Sequence, residues 1–119
     1  MFHRILVAID GSEHAQRALG HAIDLAGACN AMLTVISVHQ PSSTLLVGGP
    51  VTPPIDLGEL EQALRREHEQ LLDAAVEQVP QDVSTVKVLA EGTPAAAILN
   101  HARTDRSDLI VLGSRRVSV

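Results

Sequence analysis

The chain has 119 residues, 45% of them hydrophobic, with Phe2 its only Phe, Tyr or Trp, a net charge of −5 and a single cysteine, Cys29. That length and composition suit one domain, residues 1–119, with a core of Ala, Val, Leu and Ile that needs no metal or disulfide; the acidic balance, without a basic tract or an aromatic stacking platform, argues against nucleic acid as a partner. One cysteine precludes an internal disulfide and fits a reducing compartment, and no apolar run has signal-peptide or membrane-spanning length, so the expectation is a soluble, cytoplasmic protein with no membrane partner.

Ile5 to Ser12 reads Ile-Leu-Val-Ala-Ile-Asp-Gly-Ser. The apolar run predicts a strand buried on both faces, and Asp10-Gly11-Ser12 predicts a tight turn into a helix. In that helix Ala15, Ala18, Leu19, Ala22, Ile23 and Ala26 recur at helical spacing. Ser12 stands as N-cap, Glu13 in the first turn, and Gly27 to Asn30 supply residues suited to ending it. Ala31 to Val38 is the second strand, which makes the first three elements a right-handed crossover. His39 to Asp56 holds four prolines and two glycines and reads as a long loop leaving the same sheet edge as Asp10, either functional or a mobile insertion of no consequence.

Leu57 to Val79 predicts an amphipathic helix with Leu60, Leu64, Leu71, Ala75 and Val79 on one face, opposed by Glu59, Arg66, Glu69 and Asp73; Pro80 stops it. Val83 to Ala90 is a third strand, nearer a sheet edge because it carries Ser84, Thr85 and Lys87. Thr93 as N-cap and Pro94 at the first helical position open a short helix through Ala96, Ala97, Ile98 and Leu99. Leu109 to Gly113 is the fourth strand, buried like the first and also ending in a glycine turn. The pattern is βαβαβαβ, an α/β fold with a doubly wound parallel sheet. Its first and fourth strands bring two small-residue turns to the edge where such sheets bind ligands.

Enzyme signatures are missing: there is no Gly-x-x-x-x-Gly-Lys loop, Gly-x-Gly-x-x-Gly, Gly-x-Ser-x-Gly elbow or Cys-x-x-Cys. The receiver domain of two-component signalling shares the architecture, but Ala90 stands where its phosphorylated acid should end the third strand. His14, His21, His68 and His101 fall on predicted helices without partners at metal spacing and read as surface or rim residues, and Cys29 reads as a small packing residue.

Taken together, Arg4-Ile-Leu-Val-Ala-Ile-Asp-Gly-Ser12, the strand end at Val38, Glu91-Gly92-Thr93-Pro94 and Asp108-Leu-Ile-Val-Leu-Gly-Ser-Arg115 resemble the universal stress protein family over the whole length. The resemblance implies a Rossmann-like sheet of order 3-2-1-4, with the family's last helix and fifth strand missing. It also implies a stress-response module rather than an enzyme, with a slow ATPase the less favoured reading. From the family's ATP-binding branch it implies that Ala8, Ile9 and Asp10, with Gly11 and Ser12 of the same turn, meet the adenosine and that Val38 meets the adenine. Leu112, Gly113, Ser114 and Arg115 would then lie on the phosphate side.

The family's glycine motif is only partly matched. Gly113 fits its first position, but Arg116 stands at its second and the sequence ends before its third, so half of the phosphate cradle is missing. The expectation is weak binding of ATP or another adenine nucleotide, with Mg²⁺ only alongside bound nucleotide. The alternative is a nucleotide-independent protein-interaction module of the same fold. Asp10 itself reads either as the ribose-binding acid or as a cap on the turn amides, and Gly113-Ser114 as an anion-binding turn or a plain strand end. Arg115 and Arg116 either meet phosphates or are solvated. The apolar fourth strand, free of proline and lysine, predicts self-association as a dimer through its edge.

Overall fold

The computed structural model describes residues 2–41 and 57–113. Most of the proline-rich loop, together with Ser114, Arg115 and Arg116, lies outside the described residues.

The sheet is built around β1 (Arg4–Ala8), whose Ile5, Leu6 and Val7 are fully buried. β2 (Met32–His39) and β3 (Thr85–Glu91) lie on one side of it and β4 (Leu109–Val111) on the other, all parallel, in the order β3-β2-β1-β4. The order reverses between β1 and β4, because the chain adds β2 and β3 on one side and then returns across β1.

Strand alternation divides the core into two layers. Ile5, Val7 and Ile9 pack with Leu33 and Val35 against helices α1 (Glu13–Cys29) and α2 (Leu57–Glu77). Leu6 and Ile36 pack on the opposite face against α3 (Pro94–Asp105) through Ile98 and Ala102. Burial of each large aliphatic side chain contributes about 1.5–3 kcal/mol.

Local chemistry sets the element ends. The Ser12 hydroxyl accepts the Ala15 N–H at 3.1 Å and starts α1; Asn30, in the left-handed region at φ 54°, ends it by donating to the Ala26 carbonyl. The sheet-facing line of α1 is Ala15, Ala18, Leu19, Ala22 and Ala26, mostly small side chains that let the helix approach closely. Asp108 holds the start of β4 against that of β1: its carboxylate accepts the His3 and Arg4 N–H groups at 2.6 and 2.8 Å. Those two bonds hold its carboxyl below the usual carboxylate range.

Several expectations from the sequence need correction. α2 ends at Glu77, two residues before the expected Val79, and its sheet-facing line runs through His68, Leu72 and Ala75, with Leu72 and Ala75 buried, whereas Leu60, Leu64 and Leu71 are only half-buried. His68 therefore sits between the helix and the sheet and is not a rim residue. His39 belongs to β2, not to the following loop, and is only 2% exposed. β3 runs two residues later than expected at its start and one at its end, and lies on a sheet edge as expected. β4 is three residues long and half-buried, unlike β1, since it has a strand on one side only among the described residues. Thr93 takes the extended N-cap conformation, but its side chain makes no capping bond.

Candidate functional site

At the carboxyl ends of β1, β2 and β4 the sheet opens into a cleft of about 200 Å³. β1 contributes Ala8 and continues through Ile9, whose N–H donates to the Ile36 carbonyl at 2.9 Å and so ties the strand end to β2. Asp10 and Ser12 form the rim, Val38 and Ile36 one wall, and Leu112 and Gly113 the opposite wall beyond β4. Ala15 at the start of α1 and Pro94 and Ile98 on α3 complete the lining.

The turn after β1 is held from within. The Asp10 carboxylate accepts the Ser12 N–H at 2.9 Å, and Gly11 lies at φ +86°, a conformation that an L side chain takes only under strain. The turn-capping role foreseen for Asp10 is therefore present in the structure. The same carboxylate lies on the rim of the cleft, so turn and cleft share one acceptor. Gly11 does not line this cleft. It borders a smaller cavity of about 70 Å³ on the far side, beside Leu71, Ala74 and Gln78.

Gly113 is required by close approach. A Cβ there would come within 2.5 Å of the His14 carbonyl carbon and 2.7 Å of the Ala15 nitrogen. The end of β4 thus lies directly against the first turn of α1, and this contact closes one side of the cleft.

Of the residues predicted from the sequence, Ala8, Ile9, Asp10, Ser12, Val38, Leu112 and Gly113 come together, Gly11 does not, and Ser114 and Arg115 lie outside the described residues. Ile36, Ala15, Pro94 and Ile98 join the lining unforeseen. A signal was available for two of them: Pro94 and Ile98 are four apart on a helix beginning at the same sheet edge.

Chemically, the cleft is an apolar slot with an acidic and hydroxylic rim. Its described lining residues include no lysine, arginine or histidine. Such a site can take a flat apolar group and accept hydrogen bonds from hydroxyls, but its described part offers no countercharge to a phosphate. At about 200 Å³ it is also smaller than the ~300–1,000 Å³ of sites that enclose a whole drug-sized ligand.

Comparison with known proteins gives a consistent result. The universal stress protein family model matches residues 1–118. Universal stress protein YxiE of Bacillus subtilis is 34% identical over 122 aligned positions, which cover 99% of this chain and 82% of that protein. A crystal structure of a universal stress protein family member from Burkholderia pseudomallei superposes with a TM-score of 0.77 at 32% identity, over 93% of this chain and 80% of the other. More distant structures, alike in fold, include a universal stress protein in complex with cAMP (22% identity, TM-score 0.57) and one from Arabidopsis thaliana with AMP bound (18%, TM-score 0.65). With the family model spanning nearly every residue and the order β3-β2-β1-β4 in place, the chain belongs to the universal stress protein family.

Proposed function

We propose that this protein is a non-catalytic stress-response module, one domain over residues 1–119, whose cleft binds the adenosine part of an adenine nucleotide weakly. The carrying observation is the lining itself: Ile36, Val38 and Ile98 as apolar walls for a base, with the Asp10 carboxylate on the rim as acceptor for ribose hydroxyls. The nucleotides named for two proteins of this fold support the ligand class. ATP, ADP and AMP would bind through the nucleoside, and Mg²⁺ would accompany only a bound nucleotide. The lone cysteine supports a cytoplasmic setting, and no helix among the described residues is long and apolar enough to cross a membrane. Titration with AMP while following backbone amide resonances tests the site. Shifts should concentrate at Ala8, Ile9, Val38, Ile98 and Leu112; no response at millimolar AMP, or shifts clustered elsewhere, would overturn the assignment.

A second reading, self-association as a dimer, draws on β4. The Asp108 N–H donates to the Arg4 carbonyl at 2.8 Å, so strand alternation turns the N–H groups of Leu109 and Val111 away from β1. Among the described residues no strand pairs with that outer edge. Pairing there with a second copy would extend both sheets. Sedimentation of wild type and Val111→Pro decides: proline removes one outward donor while leaving the bonds to β1, so it should weaken a dimer without unfolding the chain. A wild type that stays monomeric at high concentration, or a dimer indifferent to the substitution, contradicts this reading.

A further inference from the structure

Between β2 and the first half of α2 lies a set of polar side chains that the ligand cleft does not use. Ser37 is fully buried and His39 is 2% exposed; both point from β2 toward α2. The Ser37 hydroxyl and His68 Nδ1 share a hydrogen bond of 2.7 Å, and His39 Nε2 lies 2.7 Å from Glu61 Oε2. The two imidazole rings meet edge to face, 5.4 Å between centroids. We propose that Ser37, His39, Glu61 and His68 form an acid-sensitive latch, which fastens the first half of α2 to β2 while the His68 ring is neutral and releases it when that ring takes up a proton.

The geometry explains why His68 is the trigger. His39 has a carboxylate in direct contact, so a positive charge on its ring is matched. His68 faces a hydroxyl instead, and a charge there would sit half-buried beside His39 with no carboxylate bonded to it among the described residues. Among the described residues the charged or titratable groups near the rings are His39 from β2, Glu61, Arg65 and Glu67 from α2, and Glu91 from β3. Glu91 stands opposite His39 in the strand register and is ion-paired with Arg65. Burial, then His39, hold His68 below the ordinary histidine range, and Glu67 opposes them in part. A folded-state value below the unfolded one means that the latch stabilises fully above the ordinary histidine pKa, and that this contribution is lost as pH falls toward the folded-state value. Ser37 and His39 flank Val38, which points to the opposite face and lines the cleft, so the latched strand end is also a wall of the cleft.

The test is hydrogen exchange on the full chain between pH 7.5 and 5.5, corrected for intrinsic exchange chemistry, together with imidazole titration by NMR. Residues 58–68 and the end of β2 should open more readily as pH falls, by up to about tenfold per pH unit. His68→Asn retains a side-chain group able to bond Ser37 and cannot titrate. It should keep protection at pH 7.5 and lose the acid response. An acid response in that variant equal to wild type would overturn the latch, as would a His68 titration at the ordinary histidine value. His39→Gln gives a second check, since removing the neighbouring imidazole, which holds His68 down, should move the His68 midpoint upward; an unchanged midpoint counts against the coupling.

Discussion

Adding one methyl group at Gly113 should loosen the cleft. The new Cβ would fall 2.5 Å from the His14 carbonyl carbon, 2.6 Å from its oxygen and 2.7 Å from the Ala15 nitrogen, all backbone atoms of a helix start fixed by the Ser12 cap. No flexible side chain is available to swing away. Either the first turn of α1 shifts or the end of β4 moves off it, and forced overpacking of this kind costs about 1–3 kcal/mol. Gly20 provides the opposite case on the same helix: exposed, mid-helix and with nothing within 4 Å of its would-be Cβ. Gly20→Ala should therefore stabilise by about 0.5–1 kcal/mol, the ordinary gain for replacing a helical glycine. Urea unfolding of both variants beside wild type reads these as midpoint shifts of opposite sign at unchanged slope. The amide resonances of Asp10 and Ala15 should move in Gly113→Ala only. A Gly113→Ala protein as stable as wild type, with those resonances in place, would refute the close packing of β4 on α1.

Asp10 combines a turn bond with a place on the cleft rim, and two substitutions separate the roles. Asp10→Asn keeps an acceptor for the Ser12 N–H, so stability should stay near wild type while adenosine affinity falls; Asp10→Ala should lose affinity and also about 1 kcal/mol of stability. Equal adenosine affinity in all three proteins, measured by calorimetry, would leave Asp10 as a turn cap alone. Asp108 sets an acid limit. Its carboxyl is held below the usual range by the His3 and Arg4 N–H groups, so its contribution is whole above the ordinary carboxylate pKa and is lost as pH falls through the folded-state value. Asp108→Asn should flatten that part of the stability profile in acid, and an unchanged profile in denaturant melts between pH 5 and 2 would show that the two bonds do not hold β4 in place.

The parts of the fold legible in the sequence were those written in periodicity and turn chemistry. Five apolar residues before Asp10-Gly11-Ser12 identified the central strand, Ser12 marked the start of α1, and the stretch Gly27 to Asn30 its end, which falls at Asn30. The composition of Leu109 to Leu112 suggested a strand buried like β1, whereas its edge position followed only from the order 3-2-1-4 that the family resemblance implied. On α2, Leu71 and Leu72 are adjacent, so sequence alone did not say which one faces the sheet; choosing Leu72 brings His68 onto the same line. His39 and His68 were opaque for a further reason. Their surroundings come from residues far apart in sequence, His39 with Glu61 and Ser37 with His68, and no local pattern announces such pairs. The cleft was largely visible from the turns after β1 and β4, while its α3 wall required the third crossover to be laid across the sheet.

Calorimetric titration of the wild-type protein with adenosine, ADP and ATP in parallel tests the central claim most directly. A cleft that holds the nucleoside through apolar walls and Asp10 predicts three weak affinities within about tenfold of one another, a spread of about 1.4 kcal/mol. Micromolar binding of ATP with adenosine undetectable would contradict it, by showing that the phosphates carry the binding energy.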